Sequence, residues 1–314
     1  MKLFSGSANK LLTEEIAKSL NLPLSLIDVH IFPDGERRIR IHDKVTDKKA
    51  IVVQSASTPV DTNYMELFFI VDALKRAKAK EIIAIVPYFG YQRQDHLFRN
   101  GEAVSLEVVV NLLEHVGVNK LVSIDMHSKK IPSLFHIPVA HLSAVSIFAE
   151  EIKRQKWDNP STVIISPDKG GLGRVKKLSE FLNNLSFFAV EKKRDKASGR
   201  VSMKNINQKF LKDKKRAIII DDMISSGGTL LSLSSILKEK GIKEIYVFAT
   251  HAVFSEDAPI KLQRSNLKKI YTTDSVSIPK EKKFQKLEIL SLANILAKEL
   301  QKPTVTNNNE YEYI

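Results

Sequence analysis

The chain has 314 residues and a formal net charge of +13, and its 43% hydrophobic and 27% charged residues are typical of globular rather than disordered proteins. The absence of cysteine excludes disulfides, thiolate zinc sites and cysteine nucleophiles. No apolar run approaches the ~18–20 residues of a membrane span, and the first residues lack the apolar core of a secretory signal, so we expect a soluble, cytoplasmic protein.

Short β-branched runs alternate with amphipathic stretches along the chain, which is the pattern of parallel-sheet α/β proteins. Runs such as IIAIV, TVIIS and AIIID predict strands that are buried on both faces. The predicted strands are residues 50–54, 81–86, 120–124, 162–166, 186–190, 217–221, 244–250 and 269–272. Apolar residues that recur every three or four positions predict helices at 64–77, 106–115, 172–182, 229–240 and 286–301.

The predicted elements fall into two groups, and the length of the chain allows two ordinary domains. The polar segment KRQKWDNP at residues 153–160 carries a proline and interrupts the pattern. We therefore predict an α/β fold of two similar domains, residues 1–145 and 146–302, each a mainly parallel sheet flanked by helices. Residues 303–314 are polar, include three consecutive asparagines, and are predicted to form a C-terminal tail.

The segment AIIIDDMISSGGTL, residues 217–230, has the clearest chemical character. A buried strand ends in two acids, and a Ser/Gly-rich loop follows before a helix begins. Backbone N–H groups at such a turn bind anions, and glycine lets the chain approach a phosphate closely. Acids at the carboxyl end of a parallel strand reach ligands there, so the segment indicates a sugar-phosphate site. The residues of this predicted site are Asp221, Asp222, Ser225, Ser226, Gly227, Gly228 and Thr229.

Four further segments occur in order along the chain: FPDGERRIRI at 32–41, VPYFGYQRQDHLF at 86–98, SIDMHS at 123–128 and ISPDKGG at 165–171. Together with the loop described above, they resemble the ribose-phosphate pyrophosphokinase family over nearly the whole chain. The resemblance implies two domains of the type I phosphoribosyltransferase fold. It also implies transfer of the diphosphoryl group of ATP to the 1-hydroxyl of ribose 5-phosphate, which gives 5-phosphoribosyl 1-diphosphate and AMP for nucleotide biosynthesis.

The resemblance implies Mg²⁺ as the cofactor, bridging phosphate oxygens and held by few protein ligands. His127 of the Asp-x-His motif and Asp168 of the Ser-Pro-Asp motif match the metal ligands of the family. The charged segment EKKRDKASGR matches a mobile loop that closes over the transferring group and excludes water. Its Lys192 and Arg194 match the cations that stabilise this group, with Lys193 as the alternative position for the lysine.

The resemblance assigns ATP to the first domain and ribose 5-phosphate to the second. Arg93 and Gln94 match an Arg-Gln pair, while Arg99 would either reach a phosphate or be a solvated loop charge. The FPDGE turn matches one that reaches the adenine across a subunit interface, where an aromatic ring stacks on the base. The implied ATP-binding residues are Phe32, Asp34, Glu36, Arg93, Gln94 and Arg99. An inter-subunit active site requires a homo-oligomer, for which a dimer, a tetramer and a hexamer remain open.

Three positions depart from the pattern of the family. Ser225 and Ser226 stand where many members have a third aspartate and a threonine, and Phe98 stands where many have an acid that contacts ATP. Ser225 cannot act as a carboxylate, so we expect it to contribute less to contact with the ribose or to accepting a proton than an aspartate would. We therefore expect the two acids of the strand to bind the sugar hydroxyls, with Ser226 and Thr229 on the phosphate.

Three other functions are consistent with parts of this pattern. A phosphoribosyltransferase that attaches a nucleobase would share the loop but would not need RQD, DMH and FPDGE. A non-catalytic regulatory relative would be expected to lose the loop cations or the metal ligands, and both sets are present. The basic residues are spread along the chain without a zinc finger or an RNA-recognition signature, so we expect neither a nucleic-acid nor a membrane partner.

Overall fold

The structure is a computed structural model that describes residues 1–97, 99–194, 201–204, 206 and 208–302, with residues 192–194, 201–204 and 208 described by their backbone. The strands are β1 (Lys2–Ser5), β2 (Ile27–Ile31), β3 (Arg37–Ile41), β4 (Lys49–Val53), β5 (Glu81–Ile85), β6 (Lys120–Ile124), β7 (Val139–Leu142), β8 (Thr162–Ser166), β9 (Phe187–Ala189), β10 (Glu191–Arg194), β11 (Val201–Lys204), β12 (Arg216–Ile224), β13 (Glu244–Ala252), β14 (Lys269–Thr273) and β15 (Leu287–Leu290). The helices are α1 (Lys10–Ser19), α2 (Val60–Arg76), α3 (Ser105–Val116), α4 (Val145–Arg154), α5 (Leu172–Phe181), α6 (Gly228–Glu239), α7 (Ala258–Arg264) and α8 (Ala293–Gln301). Within the described ranges, no helix has both the length and the apolar character that crossing a bilayer requires.

The chain divides into two compact units. The first consists of Met1–Ser143, Ser275–Ser277 and the segment that begins at Ser291. The second consists of Ala144–Asp274 and Ile278–Leu290. The C-terminal helix α8 therefore belongs to the first unit, although it follows the second unit in the sequence.

The first unit is built on five parallel strands in the order β1, β4, β5, β6, β7. The strands β4, β5 and β6 are buried from their second residue onward because both of their faces are apolar. Helix α2 lays Leu67, Val71 and Leu74 against this sheet, in one core with Val52 and Ala84. The antiparallel hairpin β2–β3 lies outside the sheet.

The second unit is built on six parallel strands in the order β15, β14, β13, β12, β8, β9. Strand β12 lies between β8 and β13, so it is central and its apolar residues 217–220 are fully buried. Strands β10 and β11 form a separate antiparallel pair in which Glu191 lies opposite Lys204. The predicted architecture, two α/β domains with parallel sheets, is confirmed.

Each predicted strand is found, and those at 120–124 and 162–166 have the predicted bounds. The predicted helix at 286–301 is wrong over its first seven residues, because Leu287–Leu290 pairs parallel with β14 and the helix begins at Ala293. The apolar residues of LEIL fit a helical period, but an open edge of a parallel sheet offers the same residues a ladder of hydrogen bonds.

Candidate active site

The Ser/Gly-rich loop connects the central strand β12 to helix α6 in the second unit. Strand β12 extends past the predicted end at residue 221, so Asp221 and Asp222 lie inside the strand near its carboxyl end, half-buried and buried respectively. Gly227 has a left-handed φ of 75° and precedes the first residue of α6, and no side chain caps this helix. The first N–H groups of a helix have no partner inside it, so an uncapped N-terminus beside a loop offers donors to an anion.

The acid pair of β12 creates a strongly perturbed carboxyl group. Burial raises the pKa of Asp221 well above its ordinary value, and the neighbouring charge and hydrogen bond of Asp222 raise this pKa further. The charge of Asp168 raises the pKa of Asp221 by a smaller amount, while the Arg174 guanidinium on α5 lowers it. The structure thus brings three of the predicted acids into electrostatic contact in one unit, with an arginine beside them.

The Ser-Pro-Asp-Lys-Gly-Gly turn follows β8 at the same edge of the sheet. The Asp168 carboxylate accepts from the Gly171 N–H at 3.4 Å, and the Ser166 hydroxyl donates to the Asp168 carbonyl at 2.7 Å. A Cβ at Gly171 would lie 2.3 Å from the Ser166 Oγ, so this close turn requires glycine. Lys169 forms an exposed ion pair of 2.6 Å with Glu191 at the start of β10.

A second loop of this unit follows β13 and is hydrogen-bonded to the Ser/Gly-rich loop after β12. The Ser225 and Ser255 hydroxyl oxygens lie 3.0 Å apart, and the Ser255 N–H donates to the Ser225 carbonyl at 3.3 Å. One residue earlier, the Phe254 N–H donates to the Ile224 carbonyl at 3.0 Å. Ser225, which stands where the resemblance implies an aspartate in many relatives, therefore has a hydrogen-bond partner in the loop after β13.

In the first unit, the loops after β5 and β6 carry predicted ATP and metal residues. Arg93, Gln94 and Arg99 are exposed, and so is His127. The Gln92 side-chain oxygen accepts from the His127 N–H at 2.9 Å and so joins the two loops. The described residues contain no cluster of three or more His, Asp or Glu side chains that could hold a metal ion. A cation there would need ligands from phosphate or water as well.

The FPDGE segment forms the exposed turn of the β2–β3 hairpin. The Phe32 N–H donates to the Glu36 carbonyl at 2.8 Å, and the Asp34 carboxylate accepts from the Glu36 N–H at 3.1 Å. All three side chains are exposed. At the start of β3, Arg37 pairs at 3.4 Å with the fully buried carboxylate of Glu66 on α2, which ties the hairpin to the unit that carries it.

Two family models match most of the chain. One, described as the N-terminal domain of ribose phosphate pyrophosphokinase, matches residues 1–117, and the other, the phosphoribosyl transferase domain, matches residues 135–283. The chain belongs to the ribose-phosphate pyrophosphokinase family. The predicted family and enzyme class are therefore confirmed.

Relatives from this family match over nearly their whole lengths. The ribose-phosphate pyrophosphokinase of Fusobacterium nucleatum is 39% identical over 98% of this chain and 96% of that protein. The ribose-phosphate pyrophosphokinase 1 of Streptococcus pneumoniae is 38% identical over 94% of this chain and 91% of that protein. The crystal structure of the phosphoribosylpyrophosphate synthetase from Mycobacterium smegmatis superposes with a TM-score of 0.86 and 32% identity, covering 96% of this chain and 97% of that one.

Some residues named in the sequence analysis lie outside the part of this ribose-phosphate pyrophosphokinase-type chain that the structure describes. These are Phe98, residues 195–200 of the charged segment, the tail at 303–314, and the side chains of Lys192, Lys193 and Arg194, whose backbone lies in β10. Three residues that sequence reasoning missed are Gln92, Arg174 and Ser255. Gln92 lies inside the YQRQD motif, next to the predicted ATP-binding residues, and this position could have marked it as a candidate site residue. The contacts of Ser255 connect segments 30 residues apart, which periodicity does not reveal.

Gly227→Ala is expected to reduce both stability and affinity for the sugar phosphate. An alanine at φ 75° costs about 1 kcal/mol or more, and its Cβ would lie 3.3 Å from the Leu262 side chain. Gly241→Ala is the matched control, because Gly241 has φ 91° with nothing within 4 Å of its added Cβ. Denaturant unfolding should show a lower free energy of unfolding in both variants than in the wild type. Only Gly227→Ala should raise the KM for ribose 5-phosphate, and equal KM values in the two variants would contradict the assignment of this loop.

Proposed function

We propose that this protein transfers the diphosphoryl group of ATP to the 1-hydroxyl of ribose 5-phosphate, giving 5-phosphoribosyl 1-diphosphate and AMP for nucleotide biosynthesis. The observation that carries the proposal is the uncapped N-terminus of α6 beside the acid pair of β12. The donors suit the 5-phosphate, and carboxylates suit the ribose hydroxyls. Family membership adds the donor, ATP, since relatives are named ribose-phosphate pyrophosphokinases.

The sugar phosphate is assigned to the loop that begins with the acid pair. Asp221 and Asp222 accept hydrogen bonds from the ribose hydroxyls, and the N–H groups at the start of α6 bind the phosphate together with nearby hydroxyls. The phosphate-binding residues are Ser226, Gly227, Gly228 and Thr229. Ser225 is given a smaller part in binding the sugar phosphate, because its hydroxyl already lies within hydrogen-bond distance, 3.0 Å, of the Ser255 hydroxyl.

ATP is assigned to residues of the first unit. The exposed Arg93 and Gln94 bind phosphate oxygens or the base, and Arg99 adds a further charge. The exposed ring of Phe32 stacks on the adenine, while the carboxylates of Asp34 and Glu36 accept from its amine. This arrangement needs a second subunit if the turn serves a neighbouring site, so we propose a homo-oligomer. We also propose that it works in the cytoplasm.

Mg²⁺ is the proposed cofactor, with His127 and Asp168 as its protein ligands. Magnesium keeps several waters and phosphate oxygens and takes one or two protein groups, so a histidine and an aspartate would be enough to hold it. When bound, it neutralises the charge of the phosphate oxygens. Lys192 and Arg194 stabilise the charge that remains on the transferring group, and the chain's other residues orient the 1-hydroxyl for in-line attack on the β-phosphorus.

The proposal is tested by counting nucleotides. The purified protein is incubated with Mg²⁺ and ATP, with and without ribose 5-phosphate, and the AMP and ADP formed are separated. AMP formation that depends on the sugar, equal in amount to 5-phosphoribosyl 1-diphosphate, is the expected result. The matched control is 1,4-anhydroribitol 5-phosphate, which lacks the 1-hydroxyl and should support no AMP release. Formation of ADP, or AMP release without the sugar, would contradict the proposal.

Subunit complementation tests the inter-subunit site. Phe32→Ala should raise the KM for ATP by about tenfold, because stacking of a base on an aromatic side chain is worth about 1–3 kcal/mol. At low ATP, Phe32→Ala alone should keep about a tenth of the wild-type rate, and Lys192→Ala alone should be almost inactive. After joint dissociation and reassembly, about a quarter of the sites would be intact if each site takes Phe32 from one subunit and Lys192 from another. No recovery of activity would place both residues in the same subunit.

A further inference from the structure

Three consecutive backbone N–H groups hold the loop after β6 in place. Two of them donate to residues of β7, and the third donates to a residue of the loop after β5. The N–H groups of Asp125 and Met126 donate to acceptors at the end of β7, at 2.9 Å and 2.8 Å. From the β5 side, the Gln92 Oε1 accepts from the next N–H in line, that of His127, at 2.9 Å. Three consecutive residues are thus anchored, and the last of them is the proposed metal ligand.

Gln92 is unusual for a glutamine, because only 1% of it is exposed. Tyr91 just before it has a left-handed φ of 61°, and the two residues after it, Arg93 and Gln94, are exposed. The local bend therefore turns one side chain of this segment inward and leaves the next two to bind ligands.

The orientation of the Gln92 amide follows from its partner. A backbone N–H can only donate, so the side-chain oxygen must face His127. The Nε2 group then remains buried without an acceptor among the described residues. An apolar side chain of the same size would fill this space without leaving a buried donor unpaired. The feature that such a residue would lack is the acceptor for the His127 N–H.

We propose that Gln92 is a positioning residue for the reaction, which fixes the backbone of the metal-ligand loop against the ATP-binding segment that contains Arg93 and Gln94. The kinetic consequence rests on the proposed function, whereas the hydrogen bond between the His127 N–H and the Gln92 side chain does not depend on it. A rigid link between the two loops keeps the distance between the imidazole of His127 and the ATP phosphates constant. Catalysis by positioning is sensitive to displacements of about 1 Å, which cost up to about a hundredfold in rate.

Two variants distinguish loss of the hydrogen bond to the His127 N–H from loss of side-chain packing. Gln92→Met keeps the volume but removes the acceptor, whereas Gln92→Glu retains an oxygen that can accept from the His127 N–H. Hydrogen exchange of the substrate-free protein, resolved to single amides, should show a protected His127 amide in the wild type and in Gln92→Glu. In Gln92→Met this amide should exchange about tenfold faster, since a net hydrogen bond of this kind changes an equilibrium by about that factor.

The kinetic consequence is measured with the same variants. Gln92→Met should lower kcat/KM for magnesium-bound ATP by about ten- to a hundredfold, and Gln92→Glu should restore most of it. The matched control is Gln263→Met in the second unit, which also removes a side-chain oxygen that accepts from a distant backbone N–H, that of Lys286 at 3.3 Å. This control should retain wild-type kinetics.

Three results would overturn the proposal: an unprotected His127 amide in the wild type, unchanged exchange in Gln92→Met, or equal kinetic loss in Gln92→Met and Gln92→Glu. The first of these needs no variant, so the test holds even if Gln92→Met fails to fold. A failure of the proposed function itself would be recognised separately, because the wild-type protein would then form no sugar-dependent AMP while the exchange pattern stayed as expected.

Discussion

Lys192→Ala is expected to lower the rate of sugar-dependent AMP formation by about a thousandfold or more. Phosphoryl transfer is catalysed mainly by positioning and by neutralising charge on the transferring oxygens, and single cations that act in this way are worth about 10³–10⁵ in rate. The loss should fall on kcat, because the charge that the lysine stabilises is greatest in the transition state. Rapid-quench measurement of AMP at saturating substrates reports this directly.

Lys193→Ala is the control for this first experiment, since it removes the same charge from the same strand. Lys192 and Arg194 occupy alternate positions of β10 and Lys193 occupies the position between them. Alternate positions of a strand belong to one face, so the intermediate residue should tolerate alanine with less than about a threefold loss. A large loss in Lys193→Ala with an active Lys192→Ala would show that the alternative register of the lysine is the true one.

Asp221→Asn should be less active and more stable than the wild type. The substitution removes a charged acceptor for a sugar hydroxyl, and such a bond is worth about 1.5–3 kcal/mol, so kcat/KM for ribose 5-phosphate should fall by about ten- to a hundredfold. Burial and the neighbouring Asp222 raise the pKa of Asp221 in the folded protein. The charged carboxylate is thus a cost to folding that asparagine removes.

The stability gain should depend on pH in a defined direction. Because the folded-state pKa of Asp221 is raised, the folded protein binds this proton more tightly than the unfolded chain, and the free energy of unfolding falls as pH rises from about 4 toward the raised pKa. Asp221→Asn should therefore match the wild type near about pH 4 and exceed it near about pH 8. Denaturant titrations at both pH values measure this difference.

Asp257→Asn is the control for the acid pair. Asp257 is exposed and forms an ion pair of 2.7 Å with Lys261, and the hydrogen bond from that lysine lowers the pKa of the carboxyl group. Its replacement should leave the kinetics unchanged and should not stabilise the protein at neutral pH. If Asp221→Asn lost stability at neutral pH, or if it kept full kcat/KM for the sugar, the role given to the acid pair would be wrong.

The sequence predicted the sheets well because their strands are buried on both faces. Runs such as TVIIS at β8 leave few alternatives, since an apolar segment of five residues is too short for a buried helix. The weak points were elements whose stability comes from contacts with distant segments. The hairpin β2–β3 has half-buried and exposed residues and no fully buried ones, and β15 gains its hydrogen bonds from β14 at the edge of the sheet.

The candidate site was predictable where one short segment holds several groups that act together. The loop after β12 is of this kind, because its two acids and its helix start are neighbours in the sequence. Partners that lie far apart in the sequence could not be found this way. Ser255 and Arg174 approach the loop from other elements, and the pairing of Gln92 with His127 connects two loops that sequence reasoning treated separately.

The central claim is that the 1-hydroxyl of the sugar attacks the β-phosphorus of ATP, and oxygen labelling tests it most directly. Ribose 5-phosphate with ¹⁸O at its 1-hydroxyl is converted in the presence of Mg²⁺ and ATP, and both products are analysed by phosphorus NMR and mass spectrometry. The label should be found between the ribose and the diphosphate of 5-phosphoribosyl 1-diphosphate, with unlabelled AMP. Label in AMP, or ADP in place of AMP, would contradict the claim.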